Sequence, residues 1–145
     1  MSVTAFSNNA SFQADPLVED GICEDAASDL VICQSKTARE AVGVLLGIVD
    51  KYGNAESNIA IIADQNEVWY VELYGGHQYA AVKMPKDKVA VFGNEFSLEY
   101  LSDYEDSITS PDLTNLAEKN GLTISGADKI FNINFSRSPF SLQNI

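Results

Sequence analysis

Positive charge is what this sequence has least of. Nine Lys and Arg stand against 21 Asp and Glu, for a formal charge of −12 at pH 7 and a pI near 4.2, and the basic residues form no cluster. Such a surface repels phosphate backbones, so nucleic acid is not an expected partner. Long apolar runs are also missing: none approaches the ~18 residues that a bilayer demands, and no membrane partner is expected. The opening MSVTAFSNNASF has neither a basic residue nor a continuous apolar stretch, so it does not read as a secretory signal, and the expected location is cytoplasmic.

Residues suited to metal or nucleophilic chemistry are few. Cys23 and Cys33 lie ten positions apart with no histidine near them, which is neither a zinc spacing nor a redox pair. They read as reduced thiols. His77 is the one histidine, with no carboxylate or thiolate at ligand spacing, so no metal and no cofactor are expected. No G-x-S-x-G elbow accompanies it, which excludes a serine triad. The acidic pairs Glu19–Asp20 and Glu24–Asp25 sit in polar segments where nothing would raise a carboxyl pKa for acid catalysis.

What is present fits one domain of 145 residues with 46% hydrophobic content. Val3 and Ala5 begin a strand that runs into a polar loop, and the acidic stretch before Leu30, Val31 and Ile32 leads to a short helix. Thr37 and Glu40 make a T-x-x-E capping box. Ala38, Ala41, Val42, Leu45, Ile48 and Val49 follow at helical spacing, and Gly53 stands where a left-handed cap is wanted, so a helix is predicted from Thr37 to Tyr52. Four strands are predicted at Asn58 to Ala63, Glu67 to Tyr74, Gln78 to Met84 and Val89 to Phe92, separated by turn residues. Ser110-Pro111-Asp112 opens a further helix, Pro111 to Asn120.

This pattern predicts an α+β fold: an antiparallel meander with the helices from Thr37 and Pro111 on one face. The other face would then be bare, and two chains would pair through it as a homo-oligomer. Two residues are candidates for a site. His77 follows Gly75-Gly76 in a hairpin turn, as scaffold or as a substrate contact. Asn94 follows the strand ending at Phe92 and a glycine, where it is either an ordinary turn asparagine or an amide aimed into a cleft to donate to an oxyanion.

The ordered segments ADPLVEDG, KTAREAV, IAIIADQNEVWYVELYGGHQYAAVKMP and VAVFGNEFSL resemble the C69 family of cysteine dipeptidases, which are amino-terminal nucleophile hydrolases, over about residues 2 to 122. The resemblance implies a four-layer αββα sandwich, a dipeptide substrate, and a cysteine at the mature amino terminus whose own α-amine is the base. Neither Cys23 nor Cys33 can present such an amine beside its thiol. The chain is therefore expected to be the central portion of such an enzyme, inactive alone, with Ser2 to Phe6 an internal strand. The alternative is a non-catalytic binding or regulatory domain derived from the same fold. By resemblance Asn94 stabilises the oxyanion, Ser7 or Asn8 lines the same pocket, and His77 belongs to the hairpin or the substrate wall.

Overall fold

A computed structural model describes residues 2–4, 14–93, 96–98 and 100–119. Five strands form one antiparallel sheet in chain order: β1 (Ser2–Thr4), β2 (Asn58–Ala63), β3 (Val68–Gly75), β4 (Gln78–Lys83) and β5 (Ser107–Thr109). Helices α1 (Glu24–Ile32) and α2 (Ala38–Tyr52) precede the β2–β4 meander, and α3 (Leu113–Lys119) follows β5. The α+β class holds.

α2 forms where the sequence predicts it, and its ends show why. Glu40 N donates to Thr37 Oγ1 at 3.2 Å, while the Glu40 carboxylate reaches back to Lys36 N at 2.8 Å, one residue earlier than in the usual capping box. Asp64, at the β2–β3 turn, accepts from Ala38 N, Asn66 N and Glu67 N, and these bonds, that from Ala38 foremost, hold its carboxyl below the ordinary aspartate value. One side chain thus ties the helix start to the sheet. At the other end Gly53 has φ 74° as expected, but ψ 176° puts it in a glycine-only extended region instead of the left-handed helical one.

Strand alternation sorts the core into two layers. Trp69, Val71, Leu73, Tyr79 and Ala81 face α1 and α2, meeting Val31, Val42, Leu45, Leu46 and Val49. Full burial of side chains such as Val42 and Val49 contributes about 1.5–3 kcal/mol each. Ile59, Tyr70, Tyr74, Ala80 and Val82 point the other way, onto Phe96, Leu98, Leu113 and Ala117.

That second layer corrects two expectations. The helix after Ser110 lies across the sheet from α2, not beside it, and with residues 96–98 it covers much of the face expected to be bare. Among the described residues Ile61 and Val68 stay exposed at one end of that face, so a sheet-to-sheet homo-oligomer loses much of the bare face on which it was predicated. The predicted strand Val89 to Phe92 is also corrected. These residues join no ladder, Val89 and Val91 are 87% and 85% exposed, and the edge of β4 is occupied by β5.

Candidate functional site

Two polar clusters stand out, and the first is at the β3–β4 turn. Asn54, fully buried, receives Val18 N on its carbonyl and gives both its backbone N–H and its side-chain amide to Gly76 O, at 2.7 and 3.0 Å. Asp15 closes the turn from the other side, accepting from His77 N at 2.8 Å and Gln78 Nε2 at 2.7 Å. Ser110 Oγ donates to Gln78 Oε1 at 2.8 Å, so three segments distant in sequence meet at one hairpin end.

His77 is placed by these contacts. Its Nδ1 lies 3.5 Å from Asp15 Oδ1, its Nε2 lies over Gly53, and the side chain is 43% exposed. A ring pinned by its own backbone amide and at the outer limit of hydrogen-bond distance from one carboxylate has the geometry of a turn constituent. Gly76, with φ 36°, has the Asp15 carboxylate where a Cβ would stand. Gly76→Ala is therefore expected to cost about 1–3 kcal/mol in urea unfolding. Asp15→Ala should then cost less in the Gly76→Ala background than in the parent, and strict additivity of the two changes would place the clash elsewhere.

The second cluster was not anticipated from sequence. Glu72, in the middle of β3, is fully buried on the face opposite α2. Its Oε1 accepts from Tyr70 Oη at 2.9 Å, Ser97 N at 2.5 Å and Leu98 N at 3.1 Å, and its Oε2 accepts from Tyr74 Oη at 2.8 Å. Burial raises the carboxyl above its ordinary value, opposed by these four donors, and the same burial raises both phenols beside it. Phe92 stacks on Tyr70 with centroids 4.1 Å apart, and Phe96 meets Tyr74 edge-on at 5.0 Å. The available signal was a single acid in VWYVELY between two tyrosines that strand alternation puts on its own face.

Asn94, Ser7 and Asn8 lie outside the described residues, so of the four candidates only His77 has a described environment. Cys23 and Cys33 carry free thiols at the two ends of α1. Among the described residues no group of three or more His, Cys, Asp or Glu could hold a metal ion, and no helix is long and apolar enough to cross a membrane.

Comparison with known proteins adds what geometry does not. The chain is 41% identical over 120 residues to probable dipeptidase B of Streptococcus pyogenes serotype M1, covering 81% of this chain and 24% of that protein. It is 39% identical over 103 residues to a probable dipeptidase of Latilactobacillus sakei, covering 71% and 22%. Against probable dipeptidase B of Lactococcus lactis it is 38% identical over 120 residues, covering 82% and 25%. The chain thus spans about a quarter of the length of the curated relatives it matches. The model of peptidase family C69 matches residues 1–144, and the chain belongs to that family.

Proposed function

We propose that this chain is the central portion of a cysteine dipeptidase, which hydrolyses dipeptides through a thioester. The observation that carries the reading is the 41% identity over 120 residues with probable dipeptidase B of Streptococcus pyogenes. In this reading an amino-terminal cysteine outside these residues attacks the peptide carbonyl, and its α-amine takes the thiol proton and returns it to the leaving amine. Water then cleaves the thioester. Asn94 donates its side-chain N–H to the negative oxygen of the tetrahedral intermediates, a task suited to an amide because it carries no charge and loses no proton. Ser7 or Asn8 lines the same pocket in an αββα sandwich whose second sheet comes from elsewhere in the enzyme.

His77 takes no part in proton transfer here. Its backbone N–H and ring are committed to Asp15 at the turn, and the base is an amine. Cys23 and Cys33 are equally unsuited, since each lies within the chain and its nitrogen is part of a peptide bond.

The test compares the 145-residue chain with a longer protein carrying the amino-terminal cysteine segment. The shorter chain is expected to release no amino acid from dipeptides above background, and the longer one to turn over in a thiol-sensitive manner. Thiol-sensitive hydrolysis by the shorter chain alone would overturn the assignment of the nucleophile. No turnover by the longer protein on any dipeptide would favour a binding or regulatory domain.

A further inference from the structure

The segment that fails to join the sheet is nonetheless held at both ends. At its start Met84 N donates to Val68 O at 2.8 Å, and at its finish Phe92 stacks on Tyr70 with ring centroids 4.1 Å apart. Between these anchors the backbone is unpaired. From residue 88 to residue 93 no backbone N–H or C=O hydrogen-bonds to any of the described residues. Exposure alternates along it: Val89, Val91 and Gly93 are open to solvent, while Ala90 and Phe92 are half-buried, which is the period of an extended strand with one side laid on the sheet. Ile61 and Val68 extend the exposed apolar surface to the segment's two anchor points. Ile61 stands directly opposite Tyr70 in the β2–β3 register, and Val68 supplies the carbonyl that receives Met84 N. A single exposed valine needs no explanation, but exposed valines on a fixed, unpaired edge beside further exposed apolar residues are a surface suited to strand pairing.

We propose that residues 89–92 are a docking edge for an apolar β-strand contributed by the rest of the longer enzyme: that strand pairs with the unpaired backbone of this segment and covers Val89 and Val91. This rests on the reading of the chain as the central portion of such an enzyme. The length of the relatives names the occupant, since about three-quarters of a protein of that size lies outside these residues. A second copy of this chain is the weaker candidate. Each copy carries a charge of −12, and pairing two of them brings like charge together, whereas a strand of the same polypeptide is delivered at high effective concentration. Main-chain bonds along the edge would supply affinity, and β-branched or aromatic side chains facing Val89 and Val91 would supply the match.

Amide hydrogen exchange in the 145-residue chain and in the longer dipeptidase tests this without substrate. In the shorter chain the amides of residues 89–92 should exchange within ~10-fold of an unstructured peptide, while those of β3 are protected. In the longer protein at least two of these amides should slow by ~100-fold or more, because pairing along one edge engages alternate N–H groups. Val91→Thr keeps the shape and strand propensity of valine but adds a hydroxyl to the covered side. It should leave exchange in the shorter chain unchanged and speed that of the segment in the longer one by at least ~5-fold. The comparison of the two parent proteins decides the matter even if that variant fails to fold. Unprotected amides in the longer protein overturn the proposal. Protection in the shorter chain overturns it as well: if independent of concentration, the segment pairs within this chain, and if rising with concentration, a second copy is the occupant. A longer protein that protects the segment yet hydrolyses no dipeptide overturns the dipeptidase reading and leaves the docking edge standing. One that turns over with the segment unprotected does the reverse.

Discussion

Asn94→Ala in the longer dipeptidase should lower kcat by about 10²- to 10³-fold and leave KM nearly unchanged. The magnitude is that of one oxyanion donor, and the split between kcat and KM follows from when the bond matters. In the ground state the substrate carbonyl is only weakly polar, and an alanine there forfeits little binding. In the proposed mechanism a full negative charge gathers on oxygen as the thiolate adds, and the amide hydrogen bond would strengthen with it. Asn94→Asp should be worse than alanine at neutral pH, because a carboxylate would repel the charge it is meant to stabilise. Initial rates over a range of dipeptide concentrations decide the matter. A loss confined to KM would make Asn94 a binding residue, and unchanged kinetics would remove it from the site.

The parts of this fold that were legible in the sequence are those set by local chemistry. The start of α2 was readable because Thr37 and Glu40 satisfy backbone donors within one turn, and its end because Gly53 takes a φ of 74° that other residues resist. The β3–β4 hairpin was readable because aromatic and β-branched residues flank a glycine turn. Pairing between distant segments was not. Val89 to Phe92 is the longer and more apolar run, yet the shorter and more polar Ser107–Thr109 takes the edge of β4, matching Ile108 to Ala81. Apolar and β-branched content reports that a segment could be buried in a sheet, not that a partner strand is at hand.

Three other features are hidden from local sequence for the same reason. Ser110 reads as a helix cap, but its hydroxyl donates to Gln78 Oε1 and accepts from Tyr79 N in the sheet, and α3 begins only at Leu113. The faces of the two helices could not be distinguished because apolar spacing identifies a buried stripe without saying which side of a sheet it covers. Glu72 is illegible in the sequence for a related reason. Two of its four hydrogen bonds come from amides 25 and 26 residues away, which no local pattern connects to β3. Local pattern offers His77 and Asn94 as candidates, the family's sequence order supplies the roles proposed for them, and of the candidates His77 alone has described surroundings, at the turn.

Glu72→Ala should remove about 3–5 kcal/mol of stability, a large share of the ~5–15 kcal/mol typical of a domain. Four donors would lose this acceptor, and a cavity would open between Tyr70 and Tyr74. Glu72→Gln should cost less than about 1 kcal/mol at pH 7, because its carbonyl can take the three donors at Oε1 and its NH₂ can donate to the Tyr74 phenol oxygen. The contrast tests the charge state as well. Burial raises the folded-state pKa of Glu72 above its ordinary value of 4.5, so between the two values the folded protein holds more protons than the unfolded chain. Stability on account of this group then falls as pH rises from about 4.5 towards the folded value, the reverse of the usual carboxylate behaviour. Asp64 and Glu67 act in the opposite direction, since their folded values are lowered by hydrogen bonds from Ala38 N and Lys83 respectively, and both are present in parent and variant alike. Urea unfolding of parent and Glu72→Gln at pH 4, 5.5 and 7 should therefore show the glutamine variant gaining on the parent as pH rises. A difference that stays flat, or that moves in the parent's favour, would mean that the four donors outweigh burial and keep Glu72 ionised.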